Sequence, residues 1–135
     1  MKPLGAMSHV MNASGLCLFG YLSTTYDLLQ DSLTAVTGVE YTLNDLLLCG
    51  ERIANMRHAF NVREGISFTK FKIPKRVYGF PPAVKGPTQG VTVDIDSLVR
   101  EYLEEMAWNK DTTKPSRSKL VELGLSDVAD VLGAI

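Results

Sequence analysis

The sequence has 135 residues, of which 45 % are hydrophobic and 21 % charged, as in a globular domain rather than a disordered chain. Its formal net charge of −1 and its pI of about 6.1 provide no electrostatic attraction for nucleic acid or an anionic membrane. The length suits one domain, and we predict a single helical domain over residues 1–135.

The N-terminal stretch has one early lysine and an apolar segment, as a signal peptide does, but Asn12, Ser14 and three glycines interrupt it. No run approaches the ~20 apolar residues of a membrane helix. With two cysteines, Cys17 and Cys49, one disulfide is conceivable, but thiols in an intracellular chain are the preferred interpretation. We therefore expect a cytoplasmic protein that has neither nucleic acid nor a membrane as a partner.

Residues 11–23 are apolar almost all round, which predicts a buried helix or a helix interrupted at Gly15 and Gly20. Cys17 lies in this stretch. Most cysteines in apolar runs pack as small hydrophobes. The alternative is a metal-bound thiolate, for which a nearby glycine leaves room. Because a four-iron cluster needs four thiolates, this chain alone cannot complete such a site.

A second helix is predicted over residues 26–38 from its apolar spacing. Thr24 or Thr25 could cap its N-terminus, and Gly38 could end it. Its apolar stripe consists of Leu28, Leu29, Leu33 and Val36.

The clearest prediction is a helix that begins at the capping pair Thr42 and Asp45 and ends near Gly65. Its buried stripe is predicted to consist of Leu46, Cys49, Ile53, Met56 and Phe60. Its other faces are predicted to carry Glu51, Arg52, Asn55 and Arg57. On this pattern Cys49 is a core residue, and His58 is a solvated surface histidine.

Residues 66–93 hold four of the six prolines and predict a long ordered loop, with strand-like pieces such as Ile66–Phe71. The loop's aromatic residues indicate that it packs on another surface; they are Phe68, Phe71, Tyr78 and Phe80. Lys75 and Arg76 hint at an anion site, although two basic residues are weak support.

The remaining sequence predicts three more helices. The first is predicted to begin at an N-cap of Asp94 or Asp96, the second at Ser116 and the third at Ser126. Gly124 is predicted to end the second. The first should bury Leu98, Tyr102, Leu103 and Met106. The predicted fold class is all-α, an irregular domain of about five to six helices with one long Pro/Gly-rich loop. No nucleophile elbow, phosphate-cradling loop or zinc-protease motif is present, and no catalytic residue is predicted.

Five segments in series resemble the C-terminal domain of tungsten-containing aldehyde:ferredoxin oxidoreductases. They are NASGLCLF (12–19), GERIANMRHAFNVREG (50–65), IPKR (73–76), GPTQGVTVDIDSLVREYLEEMAW (86–108) and SKLVELGL (118–125). The order and spacing agree across nearly the whole chain. The resemblance implies a helical domain of an enzyme that oxidises aldehydes to carboxylic acids and passes the electrons to ferredoxin.

The resemblance also implies the cofactors, a four-iron-four-sulfur cluster and a tungsten or molybdenum bis-pterin. Three cluster cysteines would come from an upstream Cys-x-x-Cys-x-x-x-Cys stretch, and Cys17 matches the fourth. Gly15 would let the backbone approach the cofactor, and Leu16 and Leu18 would shield the cluster. Asn12 stands where the family motif opens with aspartate, so its pterin contact keeps an acceptor oxygen but loses the charge.

The resemblance leaves this chain without the pterin-binding part of the enzyme, so we expect either a fragment or a small subunit of a split enzyme. Alone it should be inert and bind no cofactor. It should also expose an apolar patch at 11–23 and self-associate through it. The alternative is a degenerate helical interaction module that binds no cofactor, which the change to Asn12 favours slightly.

Overall fold

The computed structural model describes residues 2–134, apart from the side chains of Tyr26 and Thr69. Over that range the chain forms seven α-helices and no β-strand, which confirms the predicted all-α class. The helices are α1 (Lys2–Ala13), α2 (Leu18–Tyr21), α3 (Tyr26–Thr37), α4 (Leu43–Arg63), α5 (Ile95–Glu105), α6 (Arg117–Glu122) and α7 (Ser126–Leu132).

Three of the predicted helix starts are confirmed by their side-chain caps. Thr42 and Asp45 form a reciprocal capping box, in which the Asp45 N–H donates to Thr42 Oγ1 at 3.2 Å. Asp94 accepts from the Ser97 N–H, and Ser116 from the Lys119 N–H. The Ser126 prediction is wrong by one residue, because α7 begins at Ser126 itself after Leu125.

Helix α4 is the axis of the domain, because each of the three core clusters includes one of its residues. Leu46 packs with Met7 and Val10 of α1 and with Leu29 of α3. The second cluster joins Ala54 to Leu103, Met106 and Trp108. The third joins Ala59 to Leu120, Leu123, Leu125, Ala129, Leu132 and Ala134. A helix surrounded in this way buries residues on several faces rather than along one stripe.

The central position of α4 makes the predicted stripe wrong at Cys49, Met56 and Phe60, whereas Ile53 is half-buried. Cys49 is exposed rather than buried in the core, and Phe60 is 55 % exposed. The buried residues of α4 are instead Leu46, Gly50, Glu51, Ala54, Asn55, His58 and Ala59. The neighbouring helices come close where the side chains are small, and polar side chains are buried there with partners.

The N-terminal region also differs from expectation. Residues 2–10, to which sequence analysis assigned no helix, form most of α1 and bury Ala6, Met7 and Val10. The predicted helix at 11–23 is interrupted at Gly15, because α1 ends at Ala13 and α2 starts at Leu18. The predicted interruption at Gly20 is wrong, because Gly20 lies within α2. Outside α4, three more residues expected in buried stripes are exposed, namely Leu28, Val36 and Leu98.

Residues 66–93 form an ordered loop, as predicted, but without the strand at Ile66–Phe71. That stretch contains a 3-10 turn at Phe68–Lys70, and a second turn follows at Lys75–Tyr78. Phe68 packs against the Trp108 cluster. The predicted aromatic packing is therefore right for Phe68 and wrong for Phe71 and Phe80, which are exposed.

Candidate cofactor-ligand site at Cys17

A tight turn between α1 and α2 presents the candidate site. The Ser14 N–H donates to the Val10 carbonyl at 2.9 Å, and Ser14 Oγ donates to the Met11 carbonyl at 2.8 Å. Gly15 then adopts a left-handed backbone with φ of +76°. A Cβ at Gly15 would meet no atom within 4 Å, so the backbone conformation and not crowding within the chain requires glycine here.

Cys17 follows this turn as the N-cap of α2, and its side chain is exposed. The backbone N–H groups of Gly20 and Phe19 lower the pKa of its thiol, because they stabilise the thiolate. Of the two interpretations of Cys17, a packed small hydrophobe or an available thiolate, the exposed position favours the second. A soft thiolate at the surface suits iron in an iron–sulfur cluster.

The surroundings of Cys17 are apolar and uncovered. Leu16 and Leu18 are about half exposed, while Phe19 is 78 % and Leu22 71 % exposed. An open cleft of about 300 Å³ lies between this surface and α3; it is lined by Leu16, Cys17, Gly20, Tyr21, Thr24, Leu28, Leu29 and Ser32. The predicted exposed apolar patch is confirmed, and we call Leu16, Leu18, Phe19 and Leu22 the α2 patch.

The four predicted cofactor contacts all lie in one continuous exposed stretch. Asn12 is exposed near the C-terminal end of α1, and Leu16, Cys17 and Leu18 follow beyond the turn. These four side chains are therefore accessible from outside the domain.

Other candidate ligands do not assemble around a metal. Over residues 2–134 no group of three or more His, Cys, Asp and Glu side chains could hold a metal ion. His9 Nδ1 lies 3.3 Å from Arg57 Nη1, and burial together with the charge of Arg57 lowers the pKa of His9. The second cysteine, Cys49, is exposed on α4.

A buried polar cluster that no sequence pattern indicated surrounds His58. The prediction that His58 is a solvated surface residue is wrong, because His58 is buried. His58 Nε2 lies 2.7 Å from the Thr113 carbonyl, and its ring stacks on Trp108 with centroids 3.7 Å apart. Trp108 Nε1 donates to Asn55 Oδ1 at 2.8 Å, and Asn55 Nδ2 donates to the Glu51 carbonyl at 2.9 Å. Burial lowers the pKa of His58, although the Thr113 carbonyl opposes this by favouring the protonated ring. The cluster fixes the 107–116 turn on α4.

The small residues that precede His58 at intervals of four could have revealed this face. Gly50 and Ala54 lie on the same side of α4 as Leu46 and His58, since residues four apart share a helix face. Met56 and Phe60 are more hydrophobic than Gly50 and Ala54, so hydrophobicity placed the buried face at Met56 and Phe60. Both of these side chains are exposed.

Glu51 links three helices through ion pairs. Its Oε1 lies 2.8 Å from Lys2 Nζ of α1 and 3.2 Å from Lys119 Nζ of α6. Lys119 also pairs with Glu122 at 2.8 Å. Burial lowers the pKa of Lys119, but the hydrogen bonds to Glu122 and Glu51 outweigh it and raise the pKa overall. This arrangement compensates the burial of the Glu51 carboxylate.

In the described part of the chain, no helix combines the length and apolarity that crossing a membrane requires. The fold and site thus define a helical domain with an exposed apolar surface, on which lies an exposed thiol with a lowered pKa. The family model described as "Aldehyde ferredoxin oxidoreductase, domains 2 & 3" matches residues 2–125. The chain belongs to the aldehyde ferredoxin oxidoreductase family, as the sequence resemblance predicted.

Curated relatives agree with this assignment. The tungsten-containing aldehyde ferredoxin oxidoreductase of Thermococcus kodakarensis is 33 % identical over 122 residues. The proteins of the same name from Pyrococcus furiosus and Pyrococcus abyssi are 32 % and 33 % identical. Each match covers 90 % of this chain but 20 % of the relative. The chain thus corresponds to about a fifth of the length of these relatives.

Proposed function

We propose that this chain is the C-terminal part of a tungsten or molybdenum bis-pterin aldehyde:ferredoxin oxidoreductase and contributes one ligand, Cys17, to its four-iron cluster. The observation that carries the proposal is the exposed Cys17 thiol, whose pKa the backbone N–H groups of α2 lower. In the complete enzyme the bound groups perform the redox chemistry, in which an aldehyde becomes a carboxylic acid and electrons leave singly to ferredoxin.

The residues of this chain position and shield the proposed cofactors. Cys17 offers a thiolate without first losing packing contacts, because its side chain is already exposed. Leu16 and Leu18 flank it and would exclude water from the cluster once a partner covers the α2 patch, which influences the cluster's potential. Asn12 keeps one carbonyl acceptor and an NH₂ donor for pterin contact.

The remaining cluster cysteines and most of the pterin pocket belong to the rest of the enzyme in this proposal. The matched relatives are about five times longer than the matched segment, which leaves room for those parts. The partner is accordingly a pterin-binding protein part that carries Cys-x-x-Cys-x-x-x-Cys, and the cytoplasm is the compartment in which both thiols stay reduced.

The test is metal analysis of the chain purified with this partner part. The wild-type complex should be brown and contain four irons per cluster, and Cys17→Ser should lose iron and change its EPR spectrum. Cys49→Ser is the matched control, because Cys49 is also an exposed thiol but lies on α4. Iron content and EPR spectrum unchanged in Cys17→Ser would refute the ligand role.

The alternative function is a helical interaction module without cofactor. The asparagine at position 12 favours it, because a charged acceptor for pterin N–H groups is missing. In that case the chain would bind a partner that lacks the cysteine motif, and neither cysteine substitution would alter metal content. Restoring the charge with Asn12→Asp would then leave pterin content at zero.

A further inference from the structure

The loop at residues 66–93 concentrates positive charge. It contains five basic residues and no acidic one, although the whole chain has a net charge of −1. The nine basic and fifteen acidic residues elsewhere therefore give the rest of the chain a net charge of −6. We call this loop the basic segment; its cations are Lys70, Lys72, Lys75, Arg76 and Lys85, and all five are exposed.

No acidic side chain neutralises these cations within the described residues. None of the five takes part in an ion pair within 4.0 Å there. The two acidic residues that flank the segment are engaged elsewhere. Glu64 pairs with Arg63 at 2.8 Å, and Asp94 accepts from Ser97 Oγ at 2.7 Å. The positive potential of the segment is therefore open to solvent.

The basic segment has a defined backbone despite its lack of α-helix. The Val93 N–H donates to the Tyr78 carbonyl at 3.0 Å, and the Phe80 N–H donates to the Lys75 carbonyl at 2.9 Å. Gly79 has φ of +81°, and a Cβ there would collide with the Val91 carbonyl. A surface that is ordered before binding loses less conformational entropy when a partner docks.

Large apolar side chains are exposed among the cations. They include Phe71, Ile73, Val77, Phe80 and Val84. Large exposed apolar side chains are typical of protein–protein contact sites, whereas nucleic-acid interfaces are more polar and more strongly basic. The composition of the segment thus favours a protein with a carboxylate-rich surface.

We propose that the basic segment is the docking surface for an acidic electron-carrier protein. The carrier's role rests on the proposed function; its charge is inferred from the segment. The net charge of −6 elsewhere repels such a carrier and directs it to the segment, which raises the association rate and fixes the orientation. Redox encounters use small interfaces, typically below about 1,200 Å² in total.

The experiment measures binding of a four-iron ferredoxin, chosen for a net negative charge, to the isolated chain by calorimetry. The variant K72E/K75E/K85E reverses three exposed lysines of the segment. The control R100E/K110E/R117E reverses three exposed cations outside it and changes the total charge equally. At low salt the segment variant should bind at least about tenfold more weakly and the control less than about threefold, and added salt should weaken wild-type binding.

Several outcomes overturn the proposal. The first two are that the ferredoxin does not bind the chain at low salt, and that the two variants lose equal affinity for it. The others are that the chain binds a single-stranded oligonucleotide more tightly than the ferredoxin, and that K72E/K75E/K85E alone abolishes self-association. Cys17→Ser separates the two proposals, since docking needs no cluster. Unchanged iron in Cys17→Ser with intact docking refutes the ligand role only. If Cys17→Ser loses iron but K72E/K75E/K85E binds the ferredoxin as wild type does, the docking surface alone is refuted.

Discussion

Gly50 of α4 lies directly against the backbone of Ala6 in α1, and a Cβ at position 50 would collide with the Ala6 carbonyl. This contact is where α1 and α4 cross, and it brings Met7 and Val10 onto Leu46. The packing of α1 on α4 therefore requires a residue without a Cβ at position 50. The turn that presents Cys17 follows α1, so its position depends on the same contact.

Gly50→Ala should destabilise the domain by about 2–3 kcal/mol, because backbone atoms must move to admit the methyl group. Urea unfolding followed by circular dichroism measures this. Gly5→Ala is the matched control, because Gly5 is also within a helix but a Cβ added there would meet no atom within 4 Å. That substitution should be neutral or stabilise by up to about 1 kcal/mol. Equal effects of the two substitutions would contradict the close crossing.

Protonation of His58 should destabilise the fold. Burial lowers the pKa of His58 below its ordinary value of 6.5, so the unfolded chain binds a proton more readily than the folded one. Stability is complete above pH 6.5 and falls as the pH drops toward the folded-state pKa. Unfolding midpoints should decrease over this range in a His9→Gln background, which removes the parallel contribution of His9. The dependence of the midpoint on pH should be weaker in His9→Gln/His58→Gln. The same dependence in both variants would show that His58 is not the group responsible.

Asn55→Ala should cost about 2–3 kcal/mol, since the buried Trp108 N–H loses its acceptor. The Trp108 emission should also shift, because Trp108 is the chain's single tryptophan. Exposed Asn61 on the same helix supplies the control, and Asn61→Ala should change stability by less than about 0.5 kcal/mol. Identical unfolding curves for Asn55→Ala and wild type would show that the Trp108–Asn55 bond does not stabilise the domain.

Cys17 should react with iodoacetamide at lower pH than a free cysteine does. The N–H groups of Gly20 and Phe19 lower the pKa of its thiol, and the thiolate is the reactive form. The rate is measured against pH in a Cys49→Ser background, so that a single thiol titrates, with N-acetylcysteine as reference. Unfolding the same variant in urea should abolish the difference. A profile that coincides with the reference in the folded state would contradict the effect of α2.

The α2 patch should cause self-association of the isolated chain. Phe19 and Leu22 are its most exposed members, and replacing both with serine removes much of its apolar area. Sedimentation of Phe19→Ser/Leu22→Ser should show a shift toward monomer. Val131→Ser is the control, because Val131 is similarly exposed but lies on α7. Monomeric wild type, or equal effects of the two variants, would contradict the prediction.

Local signals in the sequence determined the starts of α4, α5 and α6, and the family. Thr42 with Asp45, Asp94 and Ser116 cap their helices through neighbours within three residues, so short-range chemistry is sufficient to place them. The motif around Cys17 likewise identified the candidate ligand, because a residue type at a given spacing is visible without coordinates.

Tertiary structure alone decided which side of α4 is buried. Hydrophobicity favoured Met56 and Phe60, but the neighbouring helices pack where Gly50 and Ala54 permit close approach. His58 is buried with partners 50 or more residues away, Trp108 and Thr113, and no local pattern encodes such pairing. Burial depends on which elements meet, and that depends on the combined shape and polarity of residues far apart in the chain.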